Sequence, residues 1–378
     1  MKILDRYLLR QFTRVLLVSF LSLTGLILII DLFGNLEEFI TYARHEGSLP
    51  TVLLDYYGPR LFMYYDRTSA LLVLIAAIFT LTGLRRRNEL TALMAGGIPK
   101  TRIARPLLIA AVILATVAAA NRELVLPRLR DQLSRNAQDW LGQTAKRLDP
   151  RYDYQTGILL GGVATLAADR EIRQPSFRLP GSLARFGRQL TAKTAYYLPP
   201  AQGRPGGYLL DDVIQPEHVA TIPASLEDGA PRILTAHDTT WLKPNQCFVA
   251  SNVTFDHLAA SRAWRQYSST AELIRALRNP SLDYGASTRV TVHARLVQPL
   301  LDVSLLLLGL PLVLARRNRN LFVAAAQCLG LVAGFHVVVL ASHAMGNNSY
   351  MASPALAAWL PLLVFGPLAF VGAHRHWE

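Results

Sequence analysis

Cysteine is almost absent from this sequence: only two occur among 378 residues, at positions 247 and 328. They do not have the paired spacing of a metal site, and Cys328 lies within a long apolar run, so we expect no disulfide between them. The motifs H-E-x-x-H, G-x-S-x-G and G-x-x-x-x-G-K-[ST] are also missing, which argues against a zinc protease, a serine hydrolase and a P-loop NTPase. No nucleic-acid-binding motif accompanies the excess of 39 Lys and Arg over 26 Asp and Glu. We therefore expect no catalytic site, cofactor or metal in this chain.

Long apolar runs are abundant instead, since 51% of the residues are hydrophobic. Six runs approach the ~20 residues that a helix needs to cross a bilayer. They are 12–30, 68–84, 103–121, 296–314, 321–342 and 351–373. The first three are slightly short, but the stems of Arg14, Arg67 and Arg102 can lie in the apolar layer and extend them. No A-x-A site follows the first run, so we predict a membrane helix rather than a cleaved signal peptide.

Lys and Arg are unequally distributed over the segments between these runs. The segments 1–14, 85–105, 316–319 and 374–378 carry fourteen, whereas 31–67 carries three and 343–350 carries none. Short segments rich in Lys and Arg remain in the cytosol. We therefore expect both termini in the cytosol and the long segment 122–295 on the other side, because domains of that length are translocated regardless of charge.

The segment between the third and fourth runs has the pattern of a β domain. GILLGGVATLA, RQLTAKTAYYL, GYLLDDVI, RILTAHDTTWL and QCFVASNVTF are apolar or alternating stretches separated by turn sequences. A helix follows in SSTAELIRALRNP, where Ser269 and Glu272 have the spacing of a capping box. The predicted fold is a membrane α-helical protein with six transmembrane helices and an inserted all-β domain. Its predicted parts are 1–124 with helices one to three, 125–285 with the β domain, and 286–378 with helices four to six.

A short charged helix is predicted at 88–97, within the sequence LRRRNELTALMAGGIPKTRIARPLL of residues 84–108. Asn88 is the expected N-cap, and Glu89 suits the positive end of the helix dipole. Gly96 or Gly97 can end the helix in the left-handed conformation, and Pro99 can open the next one.

One face of this short helix is apolar, because Leu90, Leu93 and Met94 follow the i, i+3, i+4 spacing. Two interpretations are open. The helix can float on lipid headgroups, steadied by the three arginines at 85–87, or it can be a rigid docking element for a cytosolic partner.

Polar residues inside the apolar runs are further candidates. Asp302 lies within the fourth run, where a carboxylate is costly and usually faces other helices or water. It could carry protons or bind a cation; the alternative, which we favour, is a hydrogen bond to a neighbouring helix or simple protonation. His336 and His343 share a face of the fifth predicted membrane helix. They could bind a metal or sense pH, but we favour ordinary polar contacts.

The order of four segments resembles the LptF/LptG permeases of the lipopolysaccharide transporter. These segments are LDRYLLRQF, DLFGNLEEFI, RNELTALMAGGIPKTRIARPL and LVQPLLDVSLLLLGLPLVL. The resemblance extends over nearly the whole chain, and RNELTALMAGG is its most specific part. RQLTAKTAYYL…GYLLDDV is similar to the family's A-x-x-A-x-Y…W-x-L pattern, with Tyr208 where tryptophan is usual. DRYLL and NLEEFI favour an LptG-like over an LptF-like chain.

This resemblance implies a complex in the bacterial inner membrane. Its expected members are a homologous permease subunit (an LptF/LptG heterodimer), a cytosolic dimer of LptB-type ATPases that binds ATP and Mg²⁺, and LptC/LptA-type periplasmic proteins. The β domain would be a periplasmic jellyroll. The short helix would be the coupling helix, with Glu89 as the glutamate that engages the ATPase. Leu90, Leu93, Met94 and Gly97 complete the predicted coupling site, in which the apolar stripe fills a groove of the partner.

The same resemblance implies that lipopolysaccharide phosphates meet cations near the outer rim of the membrane. The candidates are Arg60, Arg67, Arg289, His293 and Arg295. Ordinary snorkelling at the rim is the alternative for each. Many family members use a lysine near the outer end of the first span; here that region has acids and no lysine (Asp31, Glu37 and Glu38), so this role would fall to other residues or to the partner subunit.

Three other functions compete with lipopolysaccharide export. The chain could be the permease of another lipid- or lipoprotein-exporting ABC system. It could be a membrane-anchored protein that only binds partners, which would show no dependence on ATP hydrolysis. An ion-coupled transporter would depend on Asp302.

Overall fold

The computed structural model describes residues 3–139, 145–166, 169–201, 204–227, 230–259, 261–314, 321–348, 350–351 and 353–377. The chain divides into a helical unit, Met1–Leu129 with Gly285–Glu378, and a β unit, Arg130–Tyr284. The sequence-based boundaries at 124/125 and 285/286 lie next to these divisions. The basic segment 316–319, which contributes to the predicted orientation, lies outside the described residues.

Among the described residues, the helical unit contains eight helices and one π-helical turn. They are α1 (Ile3–Gly34), α2 (Leu36–Glu46), α3 (Leu49–Arg86), α4 (Glu89–Ala95), α5 (Lys100–Ala120), the π turn Asn121–Val125, α10 (Gly285–Leu314), α11 (Leu321–Asn347) and α12 (Pro354–Trp377). Six of them are long and apolar enough to cross a membrane: α1, α3, α5 with the π turn, α10, α11 and α12. The prediction of six membrane helices is confirmed.

Three of the helices, α1, α3 and α10, begin well before their apolar runs. α3 begins at Leu49, whereas its apolar run starts at Thr68, and it continues through Pro59. The charged and aromatic residues in 49–67 do not interrupt the helix. Hydropathy indicates only the part of a helix that suits lipid, so it did not show this extension. The acidic amphipathic segment after α1 forms the separate helix α2.

α3 is the most buried of the membrane helices, with half of its most apolar window inside the protein. It packs against α1, α5 and α10, and α10 also packs against α11 and α12. The glycine at 309 makes the α10–α3 approach possible, because a Cβ there would overlap Leu74. The core of this unit includes Leu8, Leu84 and Ile103.

In its described residues, the β unit contains one ten-stranded antiparallel sheet and four short α-helices. The strands are β1 (Lys146–Arg147), β2 (Arg151–Asp153), β3 (Ile158–Leu160), β4 (Gly162–Leu166), β5 (Glu171–Arg178), β6 (Gln189–Leu198), β7 (Gly207–Gln215), β8 (Ser225–Glu227), β9 (Ala230–Thr235) and β10 (Cys247–Ala250). A short helix, α6 (Arg130–Leu133), precedes them, and α7 (Phe255–Ala259), α8 (Ser261–Tyr267) and α9 (Thr270–Leu277) follow. The order across the sheet is β1-β4-β5-β6-β7-β10-β9-β8, with β2 paired to β3 and β3 also to β5. The predicted all-β domain is confirmed.

Most of the predicted stretches form strands, but one central strand, β5, was not predicted. β5 lies between β4 and β6 and contains Pro175, a residue that usually argues against a central strand. Gln174 has a φ of 46°, which breaks the simple alternation next to the proline. The sequence of β5 therefore gives only a weak strand pattern, although the strand pairs with β4 and β6 over most of its length.

Both faces of β10 are covered. Cys247 and Val249 belong to the main β core, while Phe248 and Ala250 belong to a smaller cluster on the other face. All four residues are buried, as period-two alternation requires for a strand between two apolar layers. The capping box of Ser269 and Glu272 at the start of α9 is confirmed, and both cysteines of the chain are free, as expected.

Candidate functional site

The predicted short helix is α4, and its ends are set by backbone conformation. Asn88 occupies the N-cap position with a φ of 59°, and its carbonyl accepts the first helical bond from Ala92 N at 3.0 Å. Its side chain makes no cap hydrogen bond among the described residues, so Asn88 acts through the left-handed turn that asparagine tolerates rather than through its carboxamide. At the other end Gly97 has a φ of 77°, as the sequence predicts.

The apolar stripe of α4 faces its own membrane unit. Leu90 is only 5% exposed and belongs to the core, and Leu93 and Met94 pack against that core. The stripe therefore anchors α4 to α1, α3 and α5. The exposed surface of α4 is its opposite side, formed by Thr91, Ala92, Ala95 and the two glycines that follow.

Glu89 is held at the edge of this surface by the first helix. The Tyr7 hydroxyl donates a hydrogen bond of 2.8 Å to Glu89 Oε2, and Arg87 Nη1 lies 3.8 Å from Glu89 Oε1. The Glu89 side chain remains 34% exposed, so a partner can reach it. The carboxylate is thus oriented by Tyr7 without being buried.

A second polar contact joins α1 to α5 at the same end of the unit. Arg102 Nη2 donates to Asp5 Oδ2 at 3.0 Å, and Arg102 Nη1 lies 2.9 Å from Asp5 Oδ1, in an ion pair whose side chains are mostly buried. Neither Asp5 nor Tyr7 was predicted from the sequence. The only signal in the sequence is an isolated acid in a segment otherwise rich in arginine.

The rim cations predicted to bind phosphate are in different environments. Arg60 is 8% exposed; its guanidinium lies 3.4 Å from the centre of the Tyr56 ring and donates to the Tyr56 carbonyl at 2.7 Å. Arg67 and Arg289 are exposed, whereas His293 and Arg295 are half-buried. Of the five, Arg67 and Arg289 are the most accessible to an anionic ligand.

An apolar groove of about 540 Å³ lies between α1, α3 and the end of α5. Its walls include Phe20, Phe62, Tyr65 and Leu124, and all but one of its lining residues are apolar or aromatic. The exception is Asn121, whose Nδ2 donates to the Phe62 carbonyl at 3.0 Å and ties the π turn to α3. The groove has the size and lining of a site for hydrocarbon.

The intramembrane polar residues make local contacts. Gln298 Nε2 donates to Asp302 Oδ1 at 2.7 Å within α10, and Asp302 borders a void of only about 10 Å³. His336 is exposed, and its Nδ1 lies 2.9 Å from the Val332 carbonyl. Within the described parts of the chain, no group of three or more His, Cys, Asp or Glu is arranged to hold a metal ion.

Tyr208 fills the centre of the β core. It is fully buried, its hydroxyl donates to the Val253 carbonyl at 2.8 Å, and its ring packs edge-on against Phe177 and Tyr197. Burial raises the pKa of Tyr208 well above its usual value, so the phenol stays neutral. The tyrosine is therefore a core residue whose polar end is satisfied, as an indole at this position would also require.

Comparison with known proteins gives one family. The model for "Lipopolysaccharide export system permease LptF/LptG" matches residues 6–154 and 223–375. No curated protein matches the chain. The unmatched internal part, 155–222, lies within the β unit and contains the motif in which Tyr208 replaces tryptophan, whereas α4 and nearly all of the six candidate membrane helices are matched. Because this match extends over most of the chain, the protein belongs to the LptF/LptG family of lipopolysaccharide export permeases.

Proposed function

We propose that this chain is one of two homologous permease subunits that extract lipopolysaccharide from the bacterial inner membrane and pass it to a periplasmic bridge. Membership of the permease family supports transport, and the excess of Lys and Arg on the α4 side supports a cytosolic position for α4 and both termini. The β unit is then periplasmic. ATP and Mg²⁺ bind to the partner LptB-type ATPase, and this chain holds no cofactor.

The observation that carries the proposal is the orientation of Glu89 on α4. Its carboxylate is held by Tyr7 yet stays open to solvent, next to an exposed surface of small residues. An arginine of the ATPase can pair with it while a groove of the ATPase closes over the small side chains. Gly97 ends this surface.

Leu90, Leu93 and Met94 have a different role in this proposal from the one expected from sequence. Since they pack on the core that α1, α3 and α5 share, they transmit movement of α4 into the membrane unit. The ATPase pushes on the outer side of α4, and the apolar stripe carries that displacement to three membrane helices.

The substrate enters laterally from the outer leaflet. Its acyl chains lie against apolar helix faces such as the groove beside Phe62, and its phosphates pair with exposed cations, of which Arg67 and Arg289 are the first candidates. Arg60 is excluded from this set as long as it remains on Tyr56. The β unit then passes the lipid to LptC/LptA-type proteins through an edge strand. The candidates are β1 and β8, which lie at the two ends of the sheet order, and Leu226 of β8 is 63% exposed.

The test is charge reversal at Glu89 in the complete complex. Glu89→Lys should reduce co-purification of the LptB-type ATPase at least tenfold, because one attraction is replaced by a repulsion. Glu37→Lys, on an exposed acid of α2, is the matched control and should leave recruitment unchanged. Equal recruitment by both variants, or capture of an ATPase from another export system, would remove the central claim.

A further inference from the structure

Three arginines form an exposed stripe on the side of α1 opposite its buried face. Arg6, Arg10 and Arg14 follow one another at four-residue spacing, which places them on one face of the helix over about 12 Å. Leu8 and Phe12, which are at most 1% exposed, occupy the opposite face and belong to the core of the helical unit. We call Arg6, Arg10 and Arg14 the arginine stripe.

The acids at this end of the helical unit are already engaged elsewhere. Asp5 is paired with Arg102, and Glu89 contacts Tyr7 and Arg87. None of the hydrogen bonds or ion pairs found among the described residues neutralises the stripe. Three positive charges therefore face outward within about 12 Å of one another, and their mutual repulsion favours an anion between them.

The stripe borders a shallow depression of about 610 Å³ that also includes apolar side chains. Leu9, Thr13 and Leu17 complete its lining. Beyond Leu17 the exposed surface of α1 continues with Val18 and Leu21, which are 58% and 67% exposed and have no charged neighbour in the sequence up to Asp31. Cationic and apolar surfaces are thus continuous along one helix.

This continuity specifies the chemistry of the ligand. A free phosphate would use the arginines and leave the apolar part uncovered, and an acidic protein segment would meet a surface that is uncharged and largely apolar after Arg14. An amphiphile with a phosphate at one end and hydrocarbon at the other covers both parts. We propose that the arginine stripe binds the headgroup of an anionic phospholipid in the leaflet on the α4 side, with its acyl chains along Leu17 and Leu21.

The site also has a consequence for α1. The same part of α1 is attached to α4 and α5 through Tyr7 and Asp5, so a lipid bound to the stripe lies on the helix that orients Glu89. The proposal does not rest on the exported substrate or on the ATPase, since the stripe would bind the same lipid in a complex that transports nothing.

Photo-labelling of the purified complete complex in phosphatidylcholine nanodiscs tests this site. Two probes with identical photoreactive acyl chains are compared, one with a phosphatidylglycerol and one with a phosphatidylcholine headgroup, and labelled peptides are mapped by mass spectrometry. Labelling within residues 6–21 should favour the anionic probe by about tenfold or more, and raising the salt concentration should weaken this preference. Inorganic phosphate at millimolar concentration should not displace the probe.

Matched arginine variants decide whether the stripe is responsible. Arg10→Gln and Arg14→Gln should each lower labelling by the anionic probe about fivefold, as expected for one arginine near an anionic headgroup. Arg105→Gln, an exposed arginine near the start of α5, should leave it unchanged. Equal labelling by the two probes, displacement by inorganic phosphate, the same labelling in all three variants, or cross-linking of this segment to a polypeptide instead of a lipid would overturn the proposal. Unchanged ATPase co-purification in these variants shows that they fold.

Discussion

The two ends of α1 are built differently. Near α4, the helix has a buried face with Leu8 and Phe12 and polar contacts through Asp5 and Tyr7. Toward its other end it is largely uncovered: Leu26 is 58% exposed and Phe33 73%. Only 6% of its most apolar window is buried, against 50% for α3.

This difference shows which part of α1 the helical unit itself holds in place. The end next to α4 is fixed by packing and by charged contacts, so it can follow a displacement of α4. The other end has apolar side chains that meet lipid or another chain, which in the proposed complex is the homologous subunit or the substrate. That end is still tied to α3, because the Tyr57 hydroxyl donates to Asp31 Oδ2 at 2.9 Å, but most of its apolar side chains stay uncovered. A helix packed into the core at one end and largely uncovered at the other is suited to opening and closing a lateral path.

The largest effect is expected from deleting a buried side chain at the attached end. Phe12→Ala should lower the free energy of unfolding by on the order of 2 kcal/mol, because the cavity left in the core loses its packing contacts. Leu21→Ala, on the uncovered part of the same helix, should change it by less than about 0.5 kcal/mol. Denaturation of the full chain in detergent measures both. Similar losses for the two variants would mean that the uncovered part is also packed.

The ion pair between Asp5 and Arg102 should have an intermediate effect. Asp5→Asn and Arg102→Gln should each destabilise the chain. Their double-mutant cycle should give a coupling energy of about 1 kcal/mol, which is smaller than that of a fully buried ion pair because both side chains are partly exposed. The same cycle with Arg105→Gln in place of Arg102→Gln should give a coupling near zero. A vanishing coupling for Asp5 and Arg102 would show that α1 is held by apolar packing alone.

The smallest effect on stability is expected at Tyr7. Tyr7→Phe removes only the hydrogen bond to Glu89, which is exposed, so the free energy of unfolding should change by less than about 0.5 kcal/mol. Affinity for the partner ATPase should nevertheless fall roughly two- to threefold, since Glu89 would no longer be oriented. Tyr42→Phe, on α2, is the control. If Tyr7→Phe bound the ATPase with unchanged affinity while Glu89→Lys bound it more weakly, the Glu89 carboxylate would not need the Tyr7 hydrogen bond for its contact with the ATPase.

Much of the architecture followed from local features of the sequence. The apolar runs predicted six membrane helices, the alternating stretches predicted a β domain, and Ser269 with Glu272 predicted a capped helix that the structure contains. Lipid and water sort side chains by polarity over lengths of ten to twenty residues, and caps depend on neighbours within one turn, so both can be read without knowing the fold.

The tertiary structure decided which surfaces meet. The spacing of Leu90, Leu93 and Met94 predicted an apolar face but not whether it would meet a partner or the core of its own unit. The positive charge of Arg60 gave no sign that it would fold onto Tyr56. The contact of Tyr7 with Glu89 joins residues 82 positions apart. Periodicity and charge are properties of one segment, whereas the partner of a face depends on how distant helices pack, and that packing made α4 a helix with an anchored apolar side and an open acidic edge.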